Sequence, residues 1–242
     1  MAAQNNCPAI FVTGTDTGIG KTLVASALAH HFTARGLNVG VMKPVETGVD
    51  EPENLGRDAS LLRWAAKSED LPENISPYRY EHPLSPHQAA AIAKNKIDPE
   101  RIEDAFKEIC KDKDLVLVEG AGGLMVPING GFLMADLALQ LGLSALVVTH
   151  PRLGTLNHTL LTTFAARAMG LPLSGFIINQ MPENAGLAEG QAAHLLSSMA
   201  SADLLGVLPE VSGDDKQMIS KLSDAIGALP TYSWLTVGLG VA

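Results

Sequence analysis

Six short apolar runs recur along the chain, and at least one segment with helical periodicity separates each run from the next. The runs are rich in leucine and β-branched residues and do not alternate with polar ones, which is typical of strands covered on both faces. Parallel strands need crossover connections, so this alternation predicts an α/β fold: a mostly parallel sheet flanked by helices on both faces. The predicted strands are residues 9–12, 38–42, 115–118, 145–148, 176–178 and 204–208.

The segments between the runs predict the helices of a single domain over residues 1–242. With 46% hydrophobic residues, the chain can fill a core of that size. Residues 46–57 are polar and glycine-containing and predict a mobile loop, and the tail after Pro230 has no clear period. The predicted helices are residues 21–35, 58–67, 86–94, 99–111, 132–141, 156–169, 185–200 and 214–226.

A glycine-rich turn, GTDTGIGKT at residues 14–22, joins the first predicted strand to the first helix. In a P-loop, glycines let backbone N–H groups converge on phosphate oxygens, and the helix N-terminus adds partial positive charge. Lys21 is then expected to reach the β- and γ-phosphates, and Thr22 to offer its hydroxyl to Mg²⁺. The strict motif has glycine at position 15, whereas this chain has Thr15 and a glycine at position 14. The turn therefore predicts a variant phosphate loop.

Three further residues could complete a phosphate site. Glu119 follows an apolar strand and precedes Gly120 to Gly123, so it predicts a Mg²⁺ ligand at the carboxyl end of a central strand. Asp58 is a second metal candidate, although by sequence alone it is simply an acid at a helix start. Lys43 follows the second strand and could bring a cation to anionic chemistry, although a lysine there is more often a surface side chain.

Net charge and composition exclude some classes of binding partner. The net charge of -9 and the 5% of aromatic residues argue against a protein that binds nucleic acid or an anionic membrane surface. Two cysteines cannot form a disulfide framework, and no metal-ligand spacing surrounds them. Residues 1–6 have neither a basic nor an apolar segment of a signal peptide, so we expect a cytoplasmic protein.

Taken together, these motifs resemble the dethiobiotin synthetase family, whose fold is of the P-loop NTPase type. The matching pieces run in order from about residue 11 to 210: FVTGTDT and GKT, KPV with TG at 47–48, SPH at 85–87, VEGAGG at 118–123, LG at 153–154 with NH at 157–158, Asn179, Gly206 and Pro209. The resemblance implies a homodimeric ligase of biotin biosynthesis. It would use ATP and Mg²⁺ to convert 7,8-diaminononanoate and CO2 into dethiobiotin, through a carbamate and a carbamic-phosphoric anhydride.

The same resemblance implies roles for individual residues. Lys43 is the expected catalytic residue, together with Lys21 and Thr17. Nucleotide binding is implied for Gly18, Ile19, Gly20, Lys21, Thr22, Leu23, Asp58, Glu119, Gly120, Ala121, Gly122, Asn179, Gln180, Pro209, Glu210 and Val211. Substrate binding is implied for Thr17, Lys43, Thr47, Gly122, Leu153, Gly154, Thr155, Leu156 and Asn157, the last five reaching across the dimer interface, and Mg²⁺ binding for Thr22, Asp58 and Glu119.

Two other classes share this kind of sheet. A partition or septum-site ATPase, which binds DNA or membrane, typically has a lysine early in its deviant P-loop, and residues 14–20 contain none. A cobyrinate-type amidotransferase synthetase would carry a cysteine-based glutaminase domain, and none follows here. The ligase therefore remains the expected function.

Overall fold

A central sheet of six parallel strands organises the computed structural model, which describes residues 7–242. Residues 1–6, on which the expectation about a signal peptide rests, lie outside the described part. The strands are β1 (Ala9–Gly14), β2 (Val39–Met42), β3 (Val45–Thr47), β4 (Tyr78–Tyr80), β5 (Leu115–Gly123), β6 (Pro127–Asn129), β7 (Phe132–Leu133), β8 (Ser144–Thr149), β9 (Leu173–Met181) and β10 (Leu204–Pro209). The helices are α1 (Lys21–Ala34), α2 (Arg57–Ala66), α3 (Pro72–Ile75), α4 (Pro86–Ile92), α5 (Pro99–Ile109), α6 (Met134–Gln140), α7 (Thr155–Ala168), α8 (Leu187–Met199), α9 (Asp215–Gly227) and α10 (Tyr232–Leu239).

The strand order of the sheet is β10-β9-β8-β1-β5-β2, so β1 lies at its centre. The chain first builds the side of the sheet that holds β2 and β5, and then crosses β1 to add β8, β9 and β10. Ligands bind where the strand order reverses in this way, outside the carboxyl ends of the strands. The predicted phosphate loop follows β1 at that point.

The two faces of the sheet explain the unbroken apolar runs. Along β1, Ile10 and Val12 face one core cluster, which α1, α2 and α9 also line, whereas Phe11 faces the cluster lined by α5 and α6. Because neighbouring side chains of a strand point to opposite faces, a strand that is covered on both sides must be apolar at every position. The structure thus confirms the predicted α/β fold.

Several local predictions were wrong or incomplete. The segment at 46–57 is not entirely loop, since Glu46 and Thr47 belong to β3, which pairs with β4. The predicted helix 132–141 begins with β7, paired antiparallel with β6, and only then continues as α6. The tail contains α10, whose Leu235 and Leu239 are buried in the core. Strands of two or three residues are too short for a periodic pattern to reveal.

Within residues 7–242, none of the helices combines the length and the apolar character that a membrane crossing requires.

Candidate active site

The loop between β1 and α1 has the conformation of a phosphate cradle. Gly18 and Gly20 have φ of 72° and 85°, in the left-handed region that favours glycine. A Cβ at Gly14 would overlap the Ile19 side chain, so a side chain there would push the loop open. Glycine is therefore required both to turn the backbone and to bring its two ends together at the start of α1.

Lys21, the first residue of α1, is held against this loop. Its side chain is buried, and its Nζ donates to the carbonyl oxygen of Asp16 at 2.7 Å. Burial lowers the pKa of the Lys21 ammonium, and the carboxylate of Glu119 partly offsets that effect. The ammonium is thus aimed along the inside of the loop, where a β- or γ-phosphate of a nucleotide would add the negative charge that a buried cation needs.

A buried ionic cluster lies at the foot of the loop. The Nζ of Lys43 is 2.7 Å from Glu119 Oε1 and 3.0 Å from Asp58 Oδ2, and Thr22 Oγ1 donates to Glu119 Oε1 at 2.7 Å. Lys43 is 4% exposed and Glu119 1%, so Lys43 is not the surface lysine that its position alone favours. In the sheet, Glu119 pairs with Val12, which places its carboxylate beside the start of the phosphate loop.

The charges in this cluster shift one another's ionisation. Burial alone would lower the pKa of Lys43, but Glu119 and Asp58 raise it above its ordinary value. Burial raises the pKa of Glu119, against the opposing effect of Lys43. Asp58 is less buried, and Lys43 outweighs desolvation to hold the pKa of that carboxyl below its ordinary value. The arrangement keeps one ammonium charged between two acids.

The same residues are suited to a Mg²⁺ ion that is shared with a nucleotide. Glu119 Oε2 is buried and has no hydrogen-bond partner among the described residues, so one hard oxygen is free to accept a cation. No group of three or more Asp, Glu, His or Cys side chains in residues 7–242 could hold a metal by itself. A site of one or two carboxylates that relies on phosphate and water oxygens is what Mg²⁺ usually occupies.

A cleft of about 390 Å³ joins the loop to the ionic cluster. It brings together residues that are up to 163 positions apart in the sequence, from Thr17 to Gln180, at the carboxyl ends of β1, β2, β5 and β9. A larger groove of about 630 Å³ lies beside α2, but no residue of the phosphate loop lines it. The predicted residues that line the cleft are Thr17, Gly18, Gly20, Lys21, Thr22, Leu23, Lys43, Thr47, Asp58, Glu119, Ala121, Gly122 and Gln180.

Another groove, of about 370 Å³, meets the cleft at the phosphate loop, and Thr17 and Gly122 line both. Its wall is formed by residues 122–126 and by α7. Three large apolar side chains in this region are exposed, with Met125 at 56%, Leu161 at 57% and Phe164 at 62%. The groove thus extends the cleft toward an apolar surface.

The segment 153–157 opens α7 beside this groove. Gly154 caps the helix with φ 97°, and Leu153 is 92% exposed. The hydroxyl of Thr155 is buried against Thr149 at 2.9 Å, and Thr149 also accepts from Thr15 of the phosphate loop at 3.2 Å. Thr155 therefore packs within its own chain, whereas Leu153, Gly154 and Asn157 face outward.

Four of the residues implied for nucleotide binding, Asn179, Gln180, Pro209 and Glu210, lie at the ends of β9 and β10. Gln180 lines the cleft, whereas Asn179 is buried behind the loop and donates to the carbonyl oxygen of Ile19 at 3.0 Å. Pro209 ends β10, and the N–H of Glu210, the next residue, donates to the carbonyl oxygen of Met181. The structure thus brings the end of β10 next to the end of β9. Asn179 itself supports the phosphate loop through its hydrogen bond to Ile19.

Two charged residues of the cleft, Glu46 and Arg57, were missed by the sequence reasoning, as was the apolar Val45. Glu46 is 5% exposed although it lies in a polar stretch, and Arg57 makes a bidentate contact with Asp215 on α9 at 2.6 and 3.0 Å. Neither belongs to a recognisable motif: Glu46 contacts the N–H groups of Asp58 and Ala59 across a loop, and Arg57 contacts a residue 158 positions away. The only available signal was their proximity to Lys43 and Asp58 along the chain.

Comparison with solved structures shows the fold. The cell division protein MinD of Aquifex aeolicus has a TM-score of 0.56 and 15% identity, with 97% of this chain and 96% of that one covered. A ParA family ATPase of Chlorobium tepidum has a TM-score of 0.55 and 14% identity, over 96% and 99%. Both likenesses confirm the fold, a mostly parallel sheet flanked by helices.

Comparison at the sequence level is more specific. A family model described as an AAA domain matches residues 8–216. The ATP-dependent dethiobiotin synthetase of Thermodesulfovibrio yellowstonii is 40% identical over 221 residues, covering 87% of this chain and 92% of its own. The one from Nitrosospira multiformis is 43% identical over 215 residues, covering 88% and 93%. With its phosphate loop, its buried lysine and these relatives, the chain belongs to the ATP-dependent dethiobiotin synthetase family.

Proposed function

We propose that this chain catalyses the reaction after which its family is named, the ATP-dependent closure of the dethiobiotin ring from 7,8-diaminononanoate and CO2, in the cleft at the phosphate loop. The observation that carries the proposal is the buried Lys43 ammonium, held 2.7 Å from Glu119 beside the loop. A cation in that position suits a reaction in which an anionic carbamate meets a triphosphate.

Lys21, at the start of α1, and Lys43, directly after β2, both line the cleft, and we infer that they have different roles. Lys21 belongs to the phosphate loop, so we infer that it binds the β- and γ-phosphates. Lys43 follows β2, so we infer that it binds the carbamate and holds it against the γ-phosphate. Thr17 and Thr47 line the same cleft, and their hydroxyls can donate to the carbamate oxygens.

We infer that Thr22, Asp58 and Glu119 hold the Mg²⁺ ion that accompanies ATP. The unpartnered Oε2 of Glu119 supports this assignment. When bound, the ion neutralises charge on the phosphate oxygens. The ionic cluster also keeps Lys43 protonated, since both neighbouring acids raise its pKa.

The chemical sequence needs no general-base histidine. One amine of the substrate adds to CO2 and loses a proton, giving a carbamate whose oxygen is already a nucleophile. That oxygen attacks the γ-phosphorus and releases ADP, which leaves a carbamic-phosphoric anhydride. The second amine then attacks the carbonyl carbon, phosphate leaves with the bonding electrons, the amine nitrogen loses a proton to water, and the five-membered urea closes. The contribution of the residues is positioning and charge neutralisation.

The experiment is a turnover assay with ATP, MgCl₂, bicarbonate and 7,8-diaminononanoate, in which ADP release and dethiobiotin are both measured. We expect ADP release to depend on the diamine and on Mg²⁺, with one dethiobiotin formed per ADP. ADP release that is independent of the diamine, or that yields no dethiobiotin, would refute the proposal.

We further infer that the active enzyme is a homodimer whose partner subunit covers the groove beside Thr17. Exposed Met125 and Leu161 line that groove, and exposed Phe164 belongs to the same helix as Leu161. An apolar surface of this kind is suited to a subunit interface. The segment 153–157, in which Leu153, Gly154 and Asn157 face outward, would then present the start of α7 to the substrate carboxylate of the other protomer.

Mixing two defective variants tests the shared site. Lys43→Ala disables the cleft of its own protomer, and Asn157→Ala disables the segment that would contribute to the partner's site. In a mixed dimer, the protomer with an intact Lys43 faces the protomer with an intact Asn157, so one of the two sites is intact. After subunits exchange at equal amounts, half of the dimers are mixed, and we expect activity to rise to about a quarter of the wild-type value. A mixture no more active than the mean of its two components, or a monomer in sedimentation at assay concentration, would contradict the dimer.

A further inference from the structure

Glu46 makes contacts that its neighbours in sequence do not predict. It lies in β3, three residues after Lys43, and is 5% exposed. Its Oε1 accepts the backbone N–H of Asp58 at 2.7 Å, and its Oε2 accepts that of Ala59 at 3.2 Å. These are N–H groups of the first turn of α2, which a helix leaves without internal partners. Glu46 thus caps α2 from a different strand.

The helix is built to receive this carboxylate. Gly56 stands at the N-cap position and has no side chain of its own to accept a hydrogen bond from the first turn. Its φ of −69° suits any residue, so the backbone does not require glycine there. A Cβ on Gly56 would overlap the Glu46 carboxylate. The missing side chain therefore leaves space for Glu46, and the positive end of the helix dipole stabilises its charge.

The capped turn carries Asp58 into the ionic cluster. The N–H of Asp58 is held by Glu46, and its carboxylate lies 3.0 Å from the Nζ of Lys43. Since Glu46 and Lys43 belong to the same stretch of chain, the contact closes the intervening loop and fixes the distance between Lys43 and the start of α2. Asp58 has 28% of its side chain exposed, so packing alone does not hold it in place.

We propose that Glu46 is a positioning residue for the metal-binding side of the active site: by anchoring the first turn of α2, it holds the Asp58 carboxylate where it can serve both Lys43 and a nucleotide-bound Mg²⁺. The inference rests on the proposed function to the extent that Asp58 is a Mg²⁺ ligand. It assigns Glu46 no contact with the reacting atoms.

The test measures how much Mg²⁺ strengthens nucleotide binding, as the ratio of the AMP-PNP Kd in EDTA to that in MgCl₂. Glu46→Gln turns one oxygen into an NH₂ group that faces an N–H donor, so it loses at least one of the two bonds. We expect the ratio to fall at least fivefold, while the Kd in EDTA stays within twofold of the wild-type value. Exchange of the Asp58 and Ala59 amide hydrogens should accelerate at least tenfold.

Two further variants make the test specific. Gly56→Ala perturbs the same contact without altering Glu46, so it should lower the ratio in the same way, and it decides the question if Glu46→Gln does not fold. Glu53→Gln changes an exposed acid of the same loop and should leave the ratio and the amide exchange unchanged. The two perturbed variants are Glu46→Gln and Gly56→Ala, and Glu53→Gln is their control.

The proposal is overturned if the ratio is unchanged in a folded variant, if affinity falls equally with and without Mg²⁺, or if the wild-type protein shows no gain from Mg²⁺. Because AMP-PNP binding needs no diamine, the outcome is distinguishable from a failure of the proposed function. That failure would appear as a wild-type protein that forms no dethiobiotin.

Discussion

Replacing Lys43 by methionine removes the ammonium from the ionic cluster while keeping a side chain of similar shape. Glu119, at 1% exposure, would retain only the Thr22 hydroxyl as a partner, and Asp58 would lose its contact at 3.0 Å. Removing one partner of a buried ion pair leaves an uncompensated charge and costs about 3–5 kcal/mol. We expect the free energy of unfolding of the nucleotide-free protein to fall by about that amount at pH 8.

The loss should be smaller at pH 5.5. Burial already raises the pKa of Glu119, and the removal of Lys43 raises it further, so the folded variant binds a proton that the unfolded chain releases. A carboxyl with a raised pKa in the folded state destabilises increasingly as pH rises above its ordinary value, which fixes the sign of the effect. The measurement is urea unfolding followed by circular dichroism at both pH values.

Lys107→Met provides a control with the same change of charge and side chain. Lys107 is 48% exposed and pairs with Glu103 on the surface of α5 at 2.7 Å, an ion pair that solvent and salt screen. Turnover should fall at least tenfold in Lys43→Met, which corresponds to an increase of about 1.4 kcal/mol or more in the activation free energy. Turnover of the control should remain unchanged. If Lys43→Met unfolds within 1 kcal/mol of wild type and turns over within twofold of it, the assigned role of the cluster is refuted.

Two further predictions concern the loop and the core. Gly20→Ala should lower nucleotide affinity at least tenfold, because its Cβ would overlap Asn179. Gly18 has a similar φ but lies in open space, so Gly18→Ala should cost only about 1–2 kcal/mol of stability. Equal losses of nucleotide affinity in the two variants would contradict this. Burial lowers the pKa of His31, so as pH falls below about 6.5 the unfolded chain takes up a proton before the folded protein does, and the folded state loses stability. We therefore expect His31→Gln to reduce the drop in Tm between pH 7.5 and 5.5. The control His194→Gln, at an exposed histidine, should leave that drop unchanged. Equal drops in both variants would contradict that assignment.

The backbone of the site follows closely from the sequence. Loop residues 14–22 form a phosphate cradle because the chain itself supplies the glycines, the strand before them and the helix after them. The central strands were predictable for a similar reason, since a strand buried on both faces has no polar positions. By contrast, β3 and β4 have only three residues each, and α10 has no clear apolar period, so no local pattern revealed them.

The sequence by itself determined that this chain forms a parallel sheet with a phosphate loop at its centre, because strand periodicity and glycine conformation are local properties. Only the tertiary structure decided that Lys43 is buried between Asp58 and Glu119, and that Glu46 holds the start of α2. Lys43 and Glu119 are 76 residues apart, and they meet because β5 inserts between β1 and β2. The order of strands in a sheet is set by long-range packing, so no single sequence motif predicts the contact between Lys43 and Glu119.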